Sequence, residues 1–194
     1  MSQTSTDDLG FDPDELRQRY RDERDKRVRA EANEQYTEIK GEFAHYLEDP
    51  YIKFEERAPI VKEVQVAIVG GGFGGMLVAA RLHEAGVHDF TVIEKGGDFG
   101  GTWYWNRYPG ARCDVPSMEY SYQFSDELQQ EWEWSEKYAT QPEILRYAQH
   151  VAERFDLKRD IRFQTSVVSM HFDEADNSWL VTPSQGQQVR ARFV

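Results

Sequence analysis

Apolar and polar positions predict a compact run of alternating elements from residue 63 onward. Val64–Val69 reads VQVAIV, a short β-branched stretch of the kind that forms a buried parallel strand. Five glycines follow at Gly70, Gly71, Gly72, Gly74 and Gly75. Met76–Ala85 then reads as a helix stopped by Gly86. Phe90–Ile93 is a second buried strand that ends at Glu94, so strand, helix and strand close within about 30 residues, the length of a βαβ unit. Further on, Pro142–Phe155 places Ile144, Leu145, Ala148, Val151, Ala152 and Phe155 on one helical face. Three strand-like segments, Ile161–His171, Ser178–Pro183 and Gln188–Val194, are separated by turn-rich residues and predict a β-meander.

The pattern upstream is thinner. Residues 1–12 are polar and are expected to lack fixed structure. A helix is expected from Pro13 to about Ala30. Asp12 can cap it, Pro13 suits its first position, and Asp14 and Glu15 suit its first turn. Its apolar positions, Leu16, Tyr20 and Val28, are too few to hold it by burial. A second helical segment, Glu34–Leu47, carries Tyr36, Ile39, Phe43 and Leu47 on one face. Residues 1–62 therefore read as a helical arm or lid, or as a poorly ordered extension, and residues 63–194 as an α/β domain.

Charge and composition narrow the function. The 194 residues hold 23 Lys and Arg against 35 Asp and Glu, a net charge of −12. Nucleic acid and anionic membrane both demand a basic patch, so neither is an expected partner. One cysteine, Cys113, excludes an internal disulfide framework and a cysteine zinc site, and the five histidines have no metal-like spacing. The N-terminus has no basic and apolar signal pattern. The most apolar stretch, Val64–Ala80, is broken by its glycines. A soluble, cytoplasmic protein is the expectation.

Gly70-x-Gly72-x-x-Gly75 follows a strand and opens a helix. Chemistry requires each glycine: one for the tight turn, one for close approach to a pyrophosphate, one for helix–strand packing. The phosphate charge then sits at the helix N-terminus, where free N–H groups favour an anion. Glu94 lies 19 residues past Gly75, the spacing of a carboxylate that accepts ribose hydroxyls. An acid there disfavours a 2′-phosphate, so the site suits FAD or NAD rather than NADP. A second Gly-rich turn, Gly96–Trp103, leads into a loop of flat aromatics, arginines and an acid, through Arg112, Cys113 and Asp114 to Tyr120. Such a loop lines a pocket around a flat ring, or else packs as an aromatic core. Asp114, set among aromatics, is expected to pair with a cation or take up a proton. Cys113 reads as a small packed residue, and Trp132 and Trp134 as side chains packing their loop onto the body.

The strings GGGFGG, VIEKGGDFGGTWYWNRYPGARCDVPSMEYSYQFS, PEILRYAQHVAERFDL and IRFQTSV closely resemble the flavin-binding N-terminal region of type I Baeyer–Villiger monooxygenases. The phenylacetone, macrocyclic-ketone and steroid enzymes are the most similar in character. The resemblance runs from about Val64 to Val194. It implies a Rossmann-like FAD-binding three-layer α/β domain in an NADPH-dependent enzyme that turns ketones into esters or lactones by way of a C4a-peroxyflavin. It implies that Gly70, Gly72 and Gly75 hold the FAD pyrophosphate and Glu94 the adenosine ribose, with Phe73 and Lys95 also among the cofactor-binding residues. Gly101, Thr102 and Trp103 would pass along the flavin. Asp114 would be the catalytic carboxylate near the ring, paired with a later arginine. Arg112 and Cys113 would face the nicotinamide end of NADPH, Tyr120 the flavin side, and Val167 the adenine through its backbone. The family motif F-x-G-x-x-x-H-x-x-x-W and a second GxGxxG are absent from the 194 residues. The expectation is an N-terminal fragment, incomplete at the C-terminus and inactive alone, whose partners are the remainder of the enzyme or a second copy. Ketone and O₂ would be substrates of the parent. Oxygenation of nitrogen or sulfur, and a non-catalytic flavin-binding subunit, remain alternatives.

Overall fold

A computed structural model describes residues 10–37 and 39–194. The expectation for residues 1–9 lies outside the described residues. The chain divides into two compact units at Glu48–Asp49, earlier than the division at residue 62 read from composition.

In the first unit, helix α1 spans Pro13–Asp25. The Asp12 carboxylate accepts from the backbone N–H of Asp14 at 2.8 Å, which satisfies a donor that the first turn leaves free. Ion pairs at helical spacing, such as Arg17–Asp14 at 2.6 Å and Lys26–Glu23 at 2.7 Å, line its surface, and no residue of it is buried. The expected second helix is instead two 3₁₀ turns, Ala32–Gln35 and Gly41–Leu47. Lys40 is extended, and Gly41 takes a φ of +61°, a conformation that ends a helix. Tyr36, Ile39, Phe43 and Leu47 are consequently exposed rather than gathered on one buried face.

The second unit is built on one six-stranded sheet. Its strands are β1 (Val61–Val69), β2 (Phe90–Ile93), β3 (Ile161–Arg162), β4 (Val167–Asp173), β5 (Ser178–Pro183) and β6 (Gln188–Phe193), in the order β3-β2-β1-β6-β5-β4. β1 runs parallel to β2 and to β6, with Val66 opposite Phe90 and Val64 opposite Ala191. β4, β5 and β6 form an antiparallel meander. Helix α2 (Phe73–Glu84) is the crossover from β1 to β2; the short helices α3 (Thr102–Trp105) and α4 (Asp126–Glu131) follow, and α5 (Gln141–Arg154) packs beside α2. Met76, Ala79 and Ala80 of α2 meet Ala148 and Ala152 of α5 over Ile68, Phe90 and Val92 of the sheet. Small residues on both helices allow that close approach, and burial of the branched and aromatic side chains supplies the driving force. Trp132 and Trp134 pack on Tyr147 of α5, which anchors their loop as expected.

The expected strand Ile161–His171 is broken in two. Gln164 is buried with φ +54°, and its side chain is pinned to backbone at residues 53 and 55. The chain before it pairs with β2, and the chain after it crosses to the far edge as β4. Among the described residues no helix is long and apolar enough to cross a membrane.

Candidate nucleotide-binding site

β1 delivers the chain to Gly70, which has φ +103° and donates its N–H to the Ile93 carbonyl at 2.8 Å. That bond ties the glycine turn to the end of β2. A Cβ on Gly75 would overlap the Gly70 carbonyl oxygen, so α2 reaches the strand only because this position is glycine. No side chain caps α2, so its first N–H groups point out of the turn toward any incoming anion.

Glu94 closes the other side. It is buried, its Oε2 accepts from Gly71 N and its Oε1 from Gly96 N, each at 2.6 Å. Its backbone is fixed too, donating to Arg162 O and accepting from Thr165 N, both at 2.9 Å. The carboxylate is thereby held between the two Gly-rich turns. Hydrogen bonds to charged groups are the stronger ones, and two of them hold this anion in place. Each carboxylate oxygen retains lone-pair capacity for a further donor.

Around Glu94 opens a cleft of about 340 Å³, bordered by Gly70, Lys95, Trp105, Ser166 and Val167. The Lys95 ammonium stands 4.5 Å from the centre of the Trp105 ring, a cation–π contact at the rim. Gly70, Glu94, Lys95 and Val167, scattered over 98 residues of sequence, thus share one cleft at the carboxyl ends of β1 and β2, where parallel α/β sheets hold ligands. Trp105, Thr165 and Ser166 also line it, and the sequence reading passed over them. Their signal was adjacency: Trp105 ends the TWYW string, and Thr165–Ser166 directly precede Val167.

The second Gly-rich turn abuts the first. Gly101 has φ +54°, and a Cβ there would come 2.8 Å from the Gly72 Cα. Beyond it, Trp103, Cys113, Tyr120 and Phe73 belong to one apolar cluster with Ala139 and Ile144. The Tyr120 ring stands 5.5 Å from both Phe73 and Trp103, edge-on to each. Burial pushes the Tyr120 phenol above its ordinary pKa, and the neighbouring Cys113 adds to the shift. Cys113 is buried, with Sγ 3.9 Å from Ser117 Oγ. Thr102, Arg112 and Asp114 are exposed. Arg112 donates to the Glu136 carboxylate at 3.2 Å and the Tyr138 carbonyl at 3.3 Å.

Asp114 lies at the exposed surface of this unit, near enough to Tyr120 for its charge to raise that phenol further. The aromatic rings pack inward on Phe73 and Tyr120, which leaves the carboxylate in water. A second hollow, of about 190 Å³ beside Asp176 and Arg190, contains none of the expected residues, and those two charges already pair at 2.8 Å.

Fold and site together define a Rossmann-like nucleotide-binding α/β unit. A family model described as an NAD(P)-binding Rossmann-like domain matches residues 68–129. Neopentalenolactone D synthase of Streptomyces avermitilis is 48% identical over 184 residues, covering 94% of this chain and 30% of the synthase. A Baeyer–Villiger monooxygenase of Streptomyces coelicolor is 46% identical over 180 residues, covering 92% of this chain and 29% of that enzyme. Among solved structures, an oxidized steroid monooxygenase bound to NADP superposes with a TM-score of 0.65 at 54% identity, covering 67% of this chain and 25% of that one. Cyclohexanone monooxygenase from Rhodococcus sp. Phi1 bound to NADP⁺ does so at 0.65 and 41%, covering 70% and 25%. The chain is thus similar over nearly its whole length to a part of a Baeyer–Villiger monooxygenase. It spans about 30% of the length of the curated relatives it matches.

Proposed function

We propose that this chain forms the FAD-binding portion of an NADPH-dependent flavoprotein monooxygenase that converts ketones to esters or lactones. The observation that carries the reading is the Glu94 cleft. A glycine cradle, an uncapped helix N-terminus and a buried carboxylate meet there in the arrangement a dinucleotide needs. Gly70, Gly72, Phe73 and Gly75 would receive the pyrophosphate through backbone N–H groups. Glu94 would accept the ribose hydroxyls. A 2′-phosphate brought to the same place would meet a buried anion, which favours FAD over NADP in this cleft. Lys95 and Trp105 would flank the adenosine, with the Val167 backbone beyond.

The residues fit the group. The turns at Gly70 and Gly101 need positive φ, and the helix lies so close that a side chain at Gly75 is excluded, so backbone is what the cleft presents to a pyrophosphate. When bound, the flavin supplies the redox chemistry between NADPH, O₂ and ketone. This chain's residues would place it: Gly101, Thr102 and Trp103 along its side, Tyr120 and Phe73 as apolar backing. Asp114 would bring a charge near the ring and meet a cation from elsewhere, and Arg112 and Cys113 lie on the stretch that would face the nicotinamide. The ketone reading is supported by the relatives, since one solved neighbour is a cyclohexanone-bound cyclohexanone monooxygenase.

The test is a visible spectrum of the purified chain followed by titration with FAD. Bound flavin with shifted, structured bands is expected. No bound flavin and no change in flavin fluorescence would overturn the cofactor assignment for this chain.

A further inference from the structure

We propose that Asp49 is a positioning residue, which latches the loop Gly96–Arg107 in its ligand-receiving shape before any cofactor arrives. The proposal rests on the FAD reading only in taking this loop as a wall of the cofactor site.

The segment 49–55 lies across that loop at many points. Asp49 Oδ2 accepts from Gly97 N at 3.0 Å and from the Tyr104 hydroxyl at 2.6 Å, so one oxygen joins two parts of the loop. The Tyr51 hydroxyl donates to the Trp105 carbonyl at 2.9 Å. Arg107 holds its guanidinium 3.7 Å over the Tyr51 ring and donates from Nε to the Tyr104 carbonyl at 2.8 Å. A Cβ on Gly97 would overlap Ile52, which presses on the turn. Behind the segment, buried Gln164 accepts from Glu55 N at 3.1 Å and donates to the Lys53 carbonyl at 2.8 Å.

Such a latch has a physical purpose. Four of the six residues from Gly96 to Gly101 are glycine, so this stretch has much backbone freedom to lose on binding. Fixing it beforehand removes that cost from the affinity. The loop carries Trp105, a wall of the cleft, and Gly101, which touches Gly72 in the phosphate turn. Burial and the Asp49 carboxylate both raise the Tyr104 phenol above its ordinary pKa. From the sequence, residues 49–55 read only as part of the 1–62 arm.

Asp49→Ala, Asp49→Asn and Tyr104→Phe variants of the 194-residue chain test this by amide hydrogen exchange without ligand and by FAD titration. Exchange over residues 96–106 should quicken about tenfold in Asp49→Ala and Tyr104→Phe, with α5 protection unchanged. Asn can present one carbonyl oxygen to both donors, so Asp49→Asn should restore protection. FAD should bind about tenfold more weakly to Asp49→Ala, about 1.4 kcal/mol, and near normally to Asp49→Asn. Unchanged loop exchange in Asp49→Ala overturns the proposal whatever happens to FAD. Equal loss of protection in α5 overturns it too, since Asp49 would then serve general stability. Tyr104→Phe, which keeps the ring in place, decides the matter if Asp49→Ala does not fold. A wild-type chain that takes up no FAD sinks the cofactor reading, and the exchange result still judges the latch.

Discussion

Alanine at Gly74 and at Gly75 makes a matched pair, because both positions lie in the first turn of α2. At Gly74 a Cβ meets nothing within 4 Å. Gly74→Ala removes freedom from the unfolded chain and should stabilise by about 0.5–1 kcal/mol. At Gly75 the same atom would overlap the Gly70 carbonyl oxygen, stand 3.1 Å from its carbon and 3.5 Å from Ile68 Cγ2. The obstacle is backbone that cannot rotate away, because Gly70 N is bonded to Ile93 O at 2.8 Å. Helix and strand must part instead, loosening the buried cluster to which Met76 and Ile68 both belong. Overpacking of a well-packed core costs about 1–3 kcal/mol, and a clash between two backbone segments belongs at the upper end. Both variants share the helix-propensity gain, so their difference isolates the clash, at about 3 kcal/mol. Urea unfolding of both, with m-values checked for equality, measures it. A difference under about 1 kcal/mol would refute the argument that Gly75 is required by close packing rather than by chain flexibility.

Two further outcomes follow from the same geometry. Glu94→Ala strands the buried N–H groups of Gly71 and Gly96 and should cost about 3 kcal/mol, with Glu94→Gln losing roughly half as much because its oxygen still serves one donor; urea midpoints equal to wild type would show that the two bonds carry nothing. Burial raises the phenols of Tyr104 and Tyr147, so above about pH 10 the unfolded chain sheds protons that the folded chain keeps. Stability should therefore fall as pH rises past that point, and Tyr147→Phe should flatten the fall in unfolding midpoints against pH; an unchanged slope would contradict the assignment.

Where a feature depends on neighbouring residues alone, the chain already displayed it. β2 and β5 begin and end where the pattern put them, because a short apolar run bounded by turn residues has few alternatives. Gly70, Gly72 and Gly75 were legible because a strand-to-helix turn around an anion dictates glycine at that spacing. Glu94 was legible for the same reason, as the first residue after β2. The Asp12 cap needed only the residues beside it. Gly41 in its left-handed conformation was equally local, yet the apolar spacing around it read as a continuous helix.

Tertiary structure decided whatever depends on distant partners. No local pattern marks Gln164 as a break, since its buried left-handed turn is fixed by backbone groups at residues 53 and 55. That break sends β3 and β4 to opposite edges of the sheet. Nor could spacing show that Asp49 would reach Gly97 and Tyr104, or that Asp114 would face water while the rings beside it turned inward. Turn geometry and strand burial follow from residues a few positions apart, so sequence determined the glycine cradle and its carboxylate. The walls of the cleft and the segment that holds them come from contacts many tens of residues apart, and only the folded chain brings those together.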